Sequence, residues 1–466
     1  MKQQPDISGL VELIRAGELT ARQVTQAALA RIAERDGAIH SFIDLLPERA
    51  LAEADAIDAR RARGEALPSL AGVPYSVKNL FDVKGVVTLA GARLHAGKPP
   101  ASADAVLVER MRAAGAVLLG TVNMDAYAYG FTTENTHYGV THNPRDISRV
   151  AGGSSGGSGA AVAAGLGHFS LGSDTNGSIR VPSSFCGTFG LKPTFGRLSR
   201  TGSFPFVPSL DHLGPLARSA RDLAVVYDAL QGPDDQDPAC AQRPVQAAVP
   251  SLFMGVQGLR VGVLGGYFER WANPAALEAV ERAAAALNAS AHVELPAVEA
   301  ARAAAFVITA SEAGAFYLED QKTRPGDFEP LSRERLMAGA LLPAAWLVRA
   351  QRFRRWYADQ AATLFSRYDI LLAPATPDVA TPIGSQEMVV NGTCLPTRPS
   401  IGLMTQPISF IGLPVAVAPL ATSGGLPIGV QIIAAPWRED LCLRAAWVLE
   451  RSGVAAAPIA EAGAPC

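Results

Sequence analysis

The 466 residues, 48% hydrophobic and 18% charged, suffice for a large buried core arranged as one big domain or two or three ordinary ones. Lys and Arg number 41 against 43 Asp and Glu, so a net charge of -2 lacks the basic footprint of a dedicated nucleic-acid binder. No run of about 18 apolar residues would span a bilayer, and the start, MKQQPDISGLVELIRAGELT, carries charges where a secretory signal needs an apolar core. Five widely spaced cysteines, Cys186, Cys240, Cys394, Cys442 and Cys466, contain no CxxC and suggest neither a disulfide framework nor a metal site. A reducing cytoplasm is expected, without a membrane or nucleic-acid partner.

In chain order, residues 8 to 35 predict two helices broken near Gly17, with Thr20 as N-cap of the second. Pro47 opens a third helix through Arg63. The run LAGVPYSVKNLFDV predicts a strand ending near Lys78. Ser102 is expected to cap a helix to about Ala114, ahead of the buried strand AVLLGTVN. NPRDISRV, from Asn143 to Val150, is broken by proline and charge and reads as loop. HFSLGSD is a strand ending at Asp174, and LRVGVLGGYF, YDILLAPATP and LPVAVAPL are further core strands. Between them lie a helix from Pro274 to Leu287 and the long helix AWLVRAQRFRRWYADQAATLF. Interleaved helices and apolar strands predict an α/β fold. The stretch from 231 to 250, rich in Pro, Asp and Gln, is a loop of unusual length. One domain over 1–466 is expected, with core motifs at 71–220 and a helical insertion over roughly 231–360.

Two Ser/Gly turns carry the chemistry: GGSSGGSGAA, from Gly152, and SDTNGSIR, from Ser173. The first contains GxSxG, but a nucleophile elbow needs a strand directly before its serine; a phosphate loop is excluded because no GK[ST] follows. The second follows a strand, so its backbone N–H groups converge as an oxyanion hole requires, with Ser178 at the edge as a nucleophile. A serine needs a base. The seven histidines are scattered, whereas Lys78 closes a buried strand, where it is either a base with a lowered pKa or a snorkelling strand end.

Together, GVPYSVKNLFDVKG, AGGSSGGSGAAVAAG, LGSDTNGSIRVPSSFCGTFGLKPTFGRLS and SLDHLGPLARS resemble, in order and spacing, the amidase signature enzymes, over about residues 7 to 450. That resemblance implies a large mixed central sheet covered by helices on both faces and a Ser-cisSer-Lys triad: Lys78 the base, Ser154 the bridging serine on a cis peptide, Ser178 the nucleophile. It further implies oxyanion donors at Thr175, Asn176, Gly177 and Ser178, supporting roles for Ser155, Asp174 and Arg180, and no metal or organic cofactor. Asn176 stands where many members have glycine.

The stretches MDAYAYGFTTENTHYGVTHNP, AQRFRR and LPIGVQIIA resemble the glutamine-hydrolysing subunits of tRNA-dependent amidotransferases. Two departures disfavour glutamine: TSGGLP carries no acid before its GLP turn, and His212 replaces the glutamine usual in SLDQIGP. Arg354 matches the arginine that holds the donor's carboxylate there, although it is also one of several arginines on its helix. FTTENTHYG, AAAFVITASE, DFEPLS, MTQPISF and IGVQIIAAPW resemble more closely the branch that deaminates 1-carboxybiuret to urea-1,3-dicarboxylate and ammonia in cyanuric acid breakdown. This implies an anionic ureide substrate held by Arg354 and His212. It also implies a small helical accessory subunit like the C subunit of those amidotransferases, in a homodimer of the catalytic chain or a heterotetramer. The other readings are a general small-amide amidase, an amidotransferase subunit, an α/β-hydrolase with Ser154 as nucleophile, and a non-enzymatic anion-binding scaffold.

Overall fold

A computed structural model of the chain describes residues 4–289 and 291–461. Among these, eleven strands form one mixed sheet: β1 (Phe42–Leu45), β2 (Pro74–Lys78), β3 (Val117–Val122), β4 (Phe169–Asp174), β5 (Phe189–Lys192), β6 (His212–Ala217), β7 (Val261–Leu264), β8 (Ala291–Val293), β9 (Ile370–Pro374), β10 (Val415–Ala421) and β11 (Pro427–Ala434). The spatial order is β1-β3-β2-β4-β6-β5-β10-β11-β9-β7-β8. Parallel pairing joins β3 to β2 and β2 to β4, and then β9 to β7 and β7 to β8; the other pairs are antiparallel. Every residue of β2, β3, β4, β9 and β11 is buried, so these strands show no alternation of buried and exposed faces.

The helices follow local chemistry. Ile7–Ala16 ends at Gly17, and Thr20 caps Ala21–Ile39 in a reciprocal box with Gln23. Pro47 opens Pro47–Ala62, where its missing N–H costs no hydrogen bond. Two sequence expectations fail. The helix expected from Ser102 begins only at Val106, where the N-cap is Ala105, whose side chain cannot cap it; the adjacent Asp104 carboxylate accepts from the Arg49 guanidinium at 2.8 and 2.7 Å and from the Lys84 N–H at 2.8 Å. The expected loop from Asn143 to Val150 contains a small hairpin, His142–Asn143 against Asp146–Val150. Asn143 fastens it by donating to Val150 O at 3.2 Å and Phe185 O at 2.8 Å. That hairpin lies outside the large sheet, so Ser154 does not crown one of its strands.

Among the described residues no helix is long and apolar enough to cross a membrane and no His, Cys, Asp and Glu group could hold a metal ion. Cys186, Cys240, Cys394 and Cys442 are free thiols; Cys466 lies outside the described residues.

Candidate active site

Lys78 is the last residue of β2 and is completely buried. Parallel pairing sets Val77 opposite Leu171, so the carboxyl ends of β2 and β4 meet, the position where open parallel sheets bind ligands. There Lys78 Nζ donates to Ser154 Oγ at 2.7 Å and to Ser173 Oγ at 2.9 Å. Desolvation, opposed by Asp125, Asp174 and Asp211, lowers its pKa to about 7. A substantial share of the amine is therefore neutral at neutral pH and able to take a proton.

Ser154 reaches the lysine from the first Ser/Gly turn, where the Gly153–Ser154 peptide is cis. A side chain at Gly153 would collide with the Asp125 carboxylate and the Phe131–Thr132 backbone, so only glycine lets the turn pack this closely. Ser155 ties this turn to the second one. Its Oγ donates to Ser173 O at 3.1 Å and accepts from Ser173 N at 3.2 Å, while its N–H donates to Ser178 O at 3.3 Å.

The second turn leaves β4 at Asp174 and runs into the helix Arg180–Cys186. Gly177 has φ 139°, and a side chain there would strike Thr405. Asp174 organises the turn: its carboxylate accepts from Gly177 N at 2.7 Å, Ile179 N at 3.2 Å, and Arg180 Nε and Nη2 at 2.9 and 3.0 Å. Burial alone would raise the Asp174 pKa, but Arg180 holds it well below the usual carboxylate range. Arg180 also donates to Gln431 Oε1 at 2.7 Å and Thr405 O at 3.1 Å. Ser178, 3% exposed, emerges from this frame with a hydroxyl that makes no hydrogen bond among the described residues. Gly177 N–H, expected among the oxyanion donors, is held by Asp174. The N–H groups of Thr175, Asn176 and Ser178 have no acceptor among the described residues.

His212 begins β6 and is buried. Its Nδ1 faces two carbonyls, Leu210 O at 2.6 Å and Asp174 O at 3.0 Å, so Nδ1 carries the proton and Nε2 presents a lone pair, buried and without a partner among the described residues. Burial, reinforced by Lys192, drives the His212 pKa well below its ordinary value, which keeps the ring neutral. Phe195 connects it to Arg354: the Phe195 ring lies edge-on to His212 at 5.5 Å, and the Arg354 guanidinium stands 6.0 Å from the same ring. Arg354 is half-buried, on the helix Ala344–Phe365, with no carboxylate at ion-pair distance among the described residues. Burial lowers its pKa while Glu312 opposes the shift.

The triad candidates and supporting residues are thus joined through Ser173 and Ser155, and His212 and Arg354 meet through Phe195. Sequence reasoning assigned no role to Ser173 or to Lys192. Lys192 closes β5 as Lys78 closes β2, and that shared signal, a lysine ending an apolar strand, is present in FGLK. Burial, with Arg180 nearby, lowers its pKa to about 7 as well, but its Nζ donates to backbone carbonyls, of Pro193 at 3.1 Å and of Leu413.

The family model named Amidase matches residues 23–443. The chain belongs to the amidase signature family. This amidase is 60% identical over 448 residues to AtzE, the 1-carboxybiuret hydrolase subunit of that name from Pseudomonas sp. (strain ADP), across 96% of this chain and 98% of the relative. It is 38% identical over 471 residues to a glutamyl-tRNA(Gln) amidotransferase subunit from Chloroflexus aggregans (strain MD-66 / DSM 9485), across 94% of each. A solved structure described as a vestigial protein complex that reveals the evolutionary origins of an s-triazine catabolic enzyme superposes with a TM-score of 0.96 at 60% identity, over 97% of this chain and 99% of that one. A bacterial aryl acylamidase of the same family superposes with a TM-score of 0.91 at 27% identity, over 100% and 99%. The amidase signature fold expected from the motifs is the fold of this chain, and the amidase is a hydrolase of amide C–N bonds.

Proposed function

We propose that this amidase releases ammonia from a small anionic ureide, converting 1-carboxybiuret and water to urea-1,3-dicarboxylate and ammonia. The observation that carries this reading is the 60% identity, over nearly the whole of both chains, to a relative named for that substrate. The site is chemically suited to it. Arg354 is a half-buried guanidinium without a carboxylate partner among the described residues, suited to clamp the substrate carboxylate in a bidentate pair. His212 Nε2 is an unpartnered acceptor for a ureide N–H.

In the proposed reaction neutral Lys78 donates one N–H to Ser173 and accepts the Ser154 proton. Ser154 takes the Ser178 proton as Ser178 Oγ attacks the terminal amide carbon. The free N–H groups of Thr175, Asn176 and Ser178 hold the oxyanion. The same relay returns a proton to departing ammonia, and water, deprotonated through Ser154, cleaves the acyl-enzyme. No step calls for a metal or organic cofactor.

Because the base must be neutral, kcat/KM is expected to rise with pH through about 7 and level off above it, following Lys78. A rate that falls over that interval would exclude lysine as the base. Arg354→Ala is expected to raise KM for 1-carboxybiuret by about 10- to 100-fold while changing uncharged biuret by less than about threefold. Equal effects on the two would place Arg354 outside the carboxylate subsite. The first experiment is ammonia release from 1-carboxybiuret, biuret and glutamine. Turnover of glutamine alone would move the chain to the amidotransferase class, which the 38% identity to the Chloroflexus aggregans protein keeps as the second reading. We further propose a cytoplasmic setting and a small helical accessory subunit beside a homodimer of the catalytic chain or within a heterotetramer. The likeness to a structure described as a protein complex supports a partner.

A further inference from the structure

Asn176 is 7% exposed and stands in the turn between Thr175 and Gly177, two residues before Ser178. Its Nδ2 donates to the Thr309 hydroxyl at 2.9 Å; Thr309, on the helix Val298–Phe316, is 1% exposed. This contact fixes the amide plane and turns Oδ1 away from Thr309, where the oxygen is buried without a hydrogen-bond partner among the described residues. The side chain is not needed to hold the turn. Asp174 already accepts from Gly177 N, Thr405 Oγ1 donates to Asn176 O at 2.7 Å, and Ser155 N donates to Ser178 O. A buried acceptor without a partner among the described residues, on a residue two before the proposed nucleophile and anchored at its other end, is a binding group awaiting a donor.

We propose that Asn176 determines specificity: its Oδ1 accepts the N–H bonded to the carbonyl carbon that Ser178 attacks, selecting ureides over carbon-chain amides. This rests on the ureide reading above. A ureide carries nitrogen on both sides of the attacked carbon, so with one nitrogen leaving as ammonia the other keeps its N–H facing the turn. A carbon-chain amide places a methylene there, which leaves Oδ1 desolvated and unpaired. A site built to satisfy a polar group discriminates more sharply than an apolar pocket, because the wrong substrate strands that group.

The test compares kcat and KM for 1-carboxybiuret with those for glutaramate, a carboxylate–amide of the same backbone length with methylenes in place of both N–H groups and of the central carbonyl. Glutaramate is scored as substrate or as competitive inhibitor, in the full-length wild type, Asn176→Ala and Thr309→Val, with thermal melts to verify folding. Asn176→Ala, which keeps the backbone N–H, is expected to lower kcat/KM for 1-carboxybiuret by about 10- to 100-fold more than it lowers that for glutaramate. Thr309→Val, which frees the amide to rotate, should shift the ratio in the same direction by a smaller factor. Equal losses on both compounds, or no loss on either, overturn the proposal and leave the ureide reading standing. If the wild type spares 1-carboxybiuret but hydrolyses biuret, the substrate reading fails, and the same ratio taken with biuret still decides the role of Asn176. A wild type inactive on both ureides overturns both.

Discussion

Ser178→Ala is expected to lower ammonia release by about a thousandfold or more without measurable loss of stability, because the Ser178 hydroxyl has no hydrogen-bond partner among the described residues to strand. Lys78→Ala should cost a similar factor in turnover, and the double variant little more than either single one, since relay members act as a unit. Ser154→Ala interrupts the same relay at the hydroxyl 2.7 Å from Lys78 Nζ. These losses do not by themselves separate nucleophile from relay, but covalent trapping does. A serine-reactive phosphonate should label the peptide containing Ser178 in the wild type, and labelling should slow sharply in Lys78→Ala. Label on Ser154 in place of Ser178 would reverse the two serines, as in the α/β-hydrolase reading. Full activity in Ser178→Ala would end the proposed mechanism altogether. Lys192 is the control for the pH profile. It too is shifted to about 7 by burial, but it donates to backbone carbonyls and meets no serine hydroxyl. Lys192→Met should therefore lower stability while leaving the rise in kcat/KM through about 7 in place.

Local chemistry made much of this fold legible. Thr20 with Gln23 spells a capping box, Pro47 marks a first turn, and apolar runs such as AVLLGTV and FSLGSD sit where buried parallel strands belong. The turn that follows a strand points to Ser178, a lysine closing an apolar strand needs a reason and so singles out Lys78, and the family resemblance adds Ser154. What failed depended on partners distant in sequence. Ser102 has the residue type of a cap, but the helix begins at Val106 with Ala105 as its N-cap, and the nearby Asp104 carboxylate accepts from Arg49, distant in sequence. The hairpin at His142–Asn143 and Asp146–Val150 is too short and polar to show alternation, and Asn143 is fastened in part to Phe185. Ser173 acquires its contact with Lys78 only through the register of β2 against β4, which no local pattern encodes. Withdrawal of Gly177 N–H from the oxyanion donors likewise depends on the rotamer of Asp174, itself set by Arg180.

Arg180→Met is expected to destabilise the fold by about 3–5 kcal/mol at neutral pH, the cost of leaving one member of a buried ion pair without its partner. Both members are fully buried, and Arg180 supplies two of the hydrogen bonds to the Asp174 carboxylate while also joining the turn to Gln431 of β11 and the Thr405 carbonyl. Methionine fills much of the space but satisfies none of these acceptors. The pH dependence follows from linkage. In the wild type Asp174 is depressed, so its contribution is present above the ordinary carboxylate pKa and is lost only as pH falls through the lower native value. In the variant that depression is removed and Asp174 takes up a proton at higher pH, so the deficit is largest near neutrality and shrinks as the solution is acidified. Denaturant unfolding at several pH values measures this directly. Asp174→Asn combined with Arg180→Met, which removes the stranded charge, should lose less than the sum of the two single substitutions. A variant as stable as the wild type, or a deficit that grows on acidification, would mean that Asp174 and Arg180 do not support the turn as a charged pair. If the deficit behaves as expected, the stability of this pair and the placement of Ser178 are consequences of one arrangement, since the carboxylate that binds Arg180 also holds the Gly177 and Ile179 N–H groups on either side of Ser178.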